Sequence, residues 1–158
     1  MTSGVADFFK HNLWANLRLL DACAQLSDAQ LDAAMNGTFG SARQTLMHLL
    51  AVEEGFARLC TGTAPVPPLK EGDTFPGFDE LRRRAEQSGN RLIAFAEQAD
   101  MSQSLQLAGR NYKTPVMVVL IQVINHAMEH RSQVATLLSQ QGIELPSLDG
   151  LSYGEATR

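Results

Sequence analysis

The chain is poor in the features that would place it in several common classes. Its 158 residues hold only two cysteines, Cys23 and Cys60, with no CxxC pair and no disulfide framework. Both stand among apolar residues at helical spacing, where buried free thiols are expected. Basic residues are outnumbered, 13 against 17 acidic ones, for a net charge of -4. A general nucleic-acid binder needs a basic face to displace counterions, so this balance argues against a nucleic-acid partner. The densest basic cluster, Arg82 to Arg84, shares a helix with Glu80 and Glu86 and reads as a solvated face. No apolar run approaches the ~20 residues of a membrane span, and no charged-then-apolar leader precedes the first helix. A soluble, cytoplasmic protein with no membrane partner is expected. Internal repeats and low-complexity tracts are missing too. Of six prolines, four fall within one stretch and mark a single long break.

What is present reads as helix. Hydrophobic residues make up 44% and charged residues 19%, the balance of a globular chain, and the length suits one domain over 1–158. The first helix is expected from about Gly4 to Leu26, with Phe9, Leu13, Leu17, Leu20 and Ala24 as its buried stripe. "LSDAQLDAAMNG" reads as a turn or partial helix ending near Gly37. A second helix opens at Ser41, where "SARQ" has the form of a capping box, and runs to about Cys60 over Leu46, Leu49, Leu50, Phe56 and Leu59. "TGTAPVPPLKEGDTFPG" is an irregular connection that must pack along the bundle or move.

A third helix spans about Phe78 to Ala99, weakened mid-way by "SGN" at 88–90. "SQSLQLAGRNYK" is polar and alternating, as in an extended or hairpin-like connection. The fourth helix has Thr114 as its cap, Pro115 at its first position and Gly142 at its close. The ordered core is expected over about 4–142, with the tail 143–158 ordered in part. An all-α, four-helix bundle with long connections follows.

Two of the four histidines, His126 and His130, sit four apart in "INHAMEHRSQV". On a helix they stand one above the other, about 6 Å apart along the axis, and can reach one metal ion together. They border the apolar stripe of Val116, Val119, Leu120, Val123, Ala127, Val134 and Leu137, and so should point inward. His48 has a similar setting in "TLMHLLAVEEGF" and can supply a third nitrogen if the second and fourth helices are neighbours. Three His ligands leave a position open for water or substrate, the arrangement of catalytic rather than structural zinc. Imidazole suits nickel, copper and iron(II) as well. Hydrogen-bonded core histidines are the competing reading of the same residues. His11 shares a face with Ala15 and Arg18 and is expected to be exposed.

The order of these segments resembles the DinB-like superfamily of bacterial helical proteins, including its YfiT-like and thiol-dependent transferase groups. "FFKHNLWANLRLLDAC" is similar to the family's first helix, with Trp14, Asn16 and Arg18 in order. "SARQTLMHLLAVEE" is similar to the helix carrying the first metal histidine, here His48. "NHAMEHRSQVATLLSQQG" is similar to the last helix, with His126 and His130, then Arg131 and Gln133. The resemblance implies a bundle that binds a divalent metal, often zinc or nickel, through His48, His126 and His130. It implies a homodimer, a role in stress response, and in some branches transfer or isomerisation of small substrates with a low-molecular-weight thiol such as bacillithiol or mycothiol.

The expected chemistry is a metal-dependent thiol transferase or hydrolase acting on a small molecule; a non-catalytic metal- or ligand-binding dimer is the alternative. Around the histidines, Glu53 or Glu54 is expected to orient a ligand, and Glu129 to be a surface carboxylate. Trp14 and Asn16 suit packing and a helix–helix hydrogen bond. Arg131 and Gln133 fit either an anionic substrate or the surface. "HAMEH" also matches the inverted zinc-peptidase pattern H-x-x-E-H. Its acidic third ligand would have to come from Glu144, Asp149 or Glu155 in a turn-rich tail, which argues against it.

Overall fold

The computed structural model describes residues 4–158. Four long helices dominate: α1 (Gly4–Cys23), α3 (Ala42–Thr61), α4 (Phe78–Gln98) and α5 (Val116–Ser139). Between them lie the short helix α2 (Asp28–Asp32) and a hairpin of β1 (Ser104–Gln106) and β2 (Lys113–Pro115); α6 (Gly150–Ala156) follows. The fold is the expected all-α bundle, and among the described residues no helix is long and apolar enough to cross a membrane.

The local signals account for most boundaries. Ser41 caps α3 through the reciprocal capping box with Gln44, and Gly62 ends it at φ 74°. Gly142, at φ 74°, closes the turn after α5, with Ile143 N–H donating back to Leu138 O at 3.0 Å. Pro115 differs from expectation. It sits before the first helical residue, paired with Ser104 in the hairpin, and Thr114 pairs with Leu105 instead of capping the helix. In the tail, Asp149 caps α6 by accepting from Ser152 N–H at 2.8 Å, and Tyr153 packs edge-on against Trp14.

Two apolar clusters define the bundle's ends. One joins Leu19 and Leu20 of α1 to Leu46 and Leu50 of α3, Leu81 of α4 and Leu137 and Leu138 of α5. The other joins Phe9 of α1 to Ala57, Leu92, Val116 and Leu120. The C-terminal ends of α1 and α5 therefore meet the N-terminal ends of α3 and α4. The first pair runs one way and the second pair the other. Since α3 and α4 are parallel, residues 62–77 must climb back along the bundle. A helix of this length spans ~30 Å, within reach of an extended connection of that size. Leu69, 8% exposed, docks this connection on the first cluster.

A polar layer separates the two clusters: Asn12 and Asn16 on α1, Glu53 and Glu54 on α3, Arg84 and Ser88 on α4, and Arg131 on α5. Of the apolar stripe expected on α1, Leu13 and Leu17 pack partly buried against α4 and the first cluster, while Ala24 is exposed. The same helix also buries Asn12 and Asn16. Arg84 likewise turns inward, out of the solvated face expected of Arg82 to Arg84. It donates to Glu54 Oε1 at 2.9 Å and Glu80 Oε1 at 2.8 Å. The "SGN" stretch does not break α4. A Cβ on Gly89 would lie 2.8 Å from Leu13 Cδ1, so the missing side chain lets α1 approach.

Candidate metal centre

The helices α3 and α5 pack side by side, which brings His48 to His126 and His130. The three residues offer ring nitrogens that all lie within 4.8 Å of one another. His126 Nε2 and His48 Nε2 are 3.1 Å apart. Two ligands at about 2.0–2.1 Å from a tetrahedral zinc would be separated by about 3.3 Å, so the spacing suits a shared divalent cation. His130 is buried, 6% exposed, and the other two are half-buried.

Neighbouring groups fix the tautomers of two rings. His130 Nδ1 lies 2.8 Å from Gln133 Oε1. That same oxygen accepts from Phe39 N–H at 3.3 Å, so it is the amide oxygen, and His130 Nδ1 must carry the proton. His48 Nδ1 meets the carboxylate of Glu71, an acceptor, and is protonated by the same logic. Both rings therefore leave Nε2 unprotonated, the pattern of histidines in metal sites, and that of His48 faces His126 Nε2 at 3.1 Å. Burial, reinforced by His130 and His48, pushes His126 down to about 4, which leaves it neutral and ligand-competent at pH 7. Imidazole donors of this kind suit zinc, nickel or iron(II).

Phe39 closes one side. Its ring stacks on His48 with centroids 3.8 Å apart and meets His130 edge-on at 5.5 Å. The loop that presents it turns at Gly40, whose φ of 123° disfavours any side chain; a Cβ there would also strike the capping Gln44. Beyond His48 opens a cavity of about 440 Å³ lined by Phe39, Arg43, Met47, Glu71 and Phe75. Arg43 lies over the Phe75 ring and is neutralised by Asp28 and Asp32.

Other expected roles fall differently. Glu53 and Glu54 do not touch the histidines. Asn12 and Asn16 donate their amide N–H groups to Glu53 Oε2 at 2.9 and 3.0 Å. Their amide oxygens accept from Arg131 Nη1 at 2.6 and 2.7 Å, so the two asparagines bridge carboxylate to guanidinium. Asn16 thus supplies the expected interhelical bond. Burial dominates at both ends: it pushes Glu53 up against the pull of Asn12, and lowers Arg131 to about 10 despite Glu53. Glu54 is taken by Arg84 and by Leu69 N–H. Arg131 is therefore a buried structural cation, and Gln133 is the residue that orients His130. Glu129 is exposed, as expected. His11 is not: it is half-buried, with Nε2 2.8 Å from Leu148 O and its ring against Trp14 and Tyr153. The sequence reading missed Glu71 and Phe39. Both lie in loops, where no periodicity reports direction; the glycines of "NGTFG" were the one local hint of a constrained turn.

The fold and the whole-chain match place the protein in a known family of helical bundles. The DinB family matches residues 1–158, and the chain belongs to that family. It is similar to Protein DinB of Bacillus subtilis (strain 168), 24% identical over 144 residues, covering 85% of this chain and 84% of that protein. Its fold is similar to the crystal structure of a DinB-like protein from Bacillus cereus ATCC 10987, with a TM-score of 0.71 at 18% identity, covering 93% of this chain and 99% of that one. A DinB-like protein from Bacillus subtilis aligns with a TM-score of 0.64 at 17% identity, covering 92% and 97% of the two chains.

Proposed function

We propose that His48, His126 and His130 hold one divalent metal ion, zinc or nickel before iron(II), in a metal-dependent thiol transferase or related small-molecule enzyme. The observation that carries this reading is the convergence of three ring nitrogens, two of them with Nδ1 protons held by Gln133 and Glu71. Bound there, the ion would supply an open coordination position that lowers the pKa of a thiol or water and makes a nucleophile near neutral pH.

The chain's own residues set the rest. The histidines present neutral nitrogens, Phe39 shields two of the rings from water, and the walls of Phe39, Met47 and Phe75 suit the apolar part of a small electrophile. The chain's own cysteines are unsuited to be the thiol. Burial pushes Cys23 up to about 12 and Cys60 to about 11, and neither lines the cavity. A low-molecular-weight thiol fits instead. The test is zinc- or nickel-loaded protein screened with glutathione, bacillithiol and mycothiol against epoxide and haloarene electrophiles. Metal-dependent thiol consumption supports the enzyme; silence with all three thiols favours the non-catalytic metal-binding alternative.

The protein also acts as a homodimer in this reading. Val118, Ile121 and Met128 form one stripe on the outer face of α5, each about half exposed, and Phe8 of α1 beside them is 63% exposed. An apolar face of this kind, rimmed by polar residues, suits a second copy of the chain.

A further inference from the structure

The connection between α3 and α4 is strapped across the bundle by buried groups. Pro67 O accepts from Arg84 Nη2 at 3.0 Å, and Leu69 N–H donates to Glu54 Oε2 at 3.0 Å. Glu54 is 2% exposed and Arg84 7%. Glu54 stands on the same helix as His48, less than two turns away, so these anchors set the strap's height relative to the candidate metal centre. Two residues past the last anchor, the Glu71 carboxylate reaches His48 Nδ1. The strap then turns at Gly72, φ 85°, and Lys70 N–H donates to Asp73 Oδ2 at 2.9 Å. Glu71, Gly72 and Phe75 thereby form one wall of the cavity beside His48.

An exposed ion pair usually contributes little to stability. This contact differs in what it touches. The His48 side chain is 15% exposed and stacked on Phe39, whereas that of Glu71 is 59% exposed. The carboxylate lies mostly in solvent, so what it acts on is the ring: an acceptor at Nδ1 selects the tautomer whose Nε2 lone pair faces His126.

We propose that Glu71 is a positioning residue for the metal centre, fixing the His48 tautomer while fastening residues 62–77 beside the cavity, so that metal occupancy and order in the strap are coupled. The inference rests on the three-histidine reading above and goes beyond it, because it assigns the strap a role. Coupling is reciprocal: whatever factor the Glu71 contact adds to metal affinity, bound metal returns to the strap's closed state.

The experiment uses the full chain as wild type, Glu71→Ala and Glu71→Gln. Zinc affinity is measured by competition with a chromophoric chelator, and amide hydrogen exchange of residues 66–75 is followed with and without zinc. Glu71→Ala should weaken zinc binding about 10- to 100-fold, the range for a residue that orients a ligand. It should also abolish the zinc-induced protection of the strap, and Glu71→Gln, which keeps an acceptor oxygen, should restore that protection. Unchanged metal-free melting of the variants shows that folding is not the cause. Zinc affinity within twofold of wild type in Glu71→Ala overturns this proposal and leaves the three-histidine reading intact. Wild-type protein that binds no zinc overturns both.

Discussion

His126 and His48 stand 78 positions apart in the chain, yet their Nε2 atoms lie 3.1 Å from each other. No hydrogen bond within one helix could produce that approach. It follows from α3 and α5 packing as neighbours with their polar borders turned to the same side. His130, one turn after His126, completes the group, and burial with two imidazole neighbours holds His126 in its neutral form.

Gln133 is predicted to act through His130. Its Oε1 receives both His130 Nδ1–H and Phe39 N–H. Gln133→Ala removes both bonds and frees the ring to rotate. Zinc affinity should fall about 10- to 100-fold in chelator competition, with little change in metal-free melting. An affinity unchanged by the substitution would show that packing alone orients His130.

Arg131→Met should destabilise the metal-free protein strongly, because it leaves Glu53, 2% exposed, without its compensating cation. Breaking a buried pair from one side costs about 3–5 kcal/mol. Adding Glu53→Leu should recover much of the loss, since the uncompensated charge is then gone. Urea denaturation checks both variants. A loss below about 1 kcal/mol for Arg131→Met would mean that Asn12 and Asn16 satisfy Glu53 on their own.

Much of the fold was legible because its signals are local and periodic. Every residue of the stripe read for α5, from Val116 to Leu137, is buried, with Arg131 and Leu138 added to that face, and the Ser41–Gln44 capping box formed as read. His126 and His130 were legible for the same reason, one helix face at a spacing of four. The polar layer was not. Apolar periodicity assigns asparagines and arginines outward; an interhelical bond was expected of Asn16, but only the meeting of four helices shows that Asn12, Arg84 and Arg131 join it around Glu53 and Glu54 inside. Glu71 was hidden for a different reason: an irregular connection has no repeat from which to infer a direction, and its place follows from distant anchors at Glu54 and Arg84.

The thiols give a pH-dependent test. Thiolate is the reactive form, and burial raises Cys23 to about 12 and Cys60 to about 11. At pH 8 the reactive fraction is then about 10⁻⁴ for Cys23 and about 10⁻³ for Cys60. Native protein should react very slowly with iodoacetamide at pH 8, about tenfold faster with each added pH unit, and fully in denaturant. Rapid labelling of either cysteine in native protein at pH 8 would contradict this.

The outer stripe of α5 predicts the assembly. Ile121 is 50% exposed at the centre of the stripe formed with Val118 and Met128. Light scattering should give a dimeric mass for wild type and a monomeric mass for Ile121→Glu, because a charge there cannot be buried unpaired. A monomeric wild type at micromolar concentration would rule out this face as a stable contact between copies.

Metal stoichiometry of purified wild type and His130→Ala, after equilibration with zinc or nickel and removal of the excess, decides whether the three histidines hold an ion. Wild type should hold about one ion per chain tightly, and the variant, which keeps only two of three imidazoles, should lose it. A full complement of metal in His130→Ala, or none in wild type, would contradict the three-histidine site.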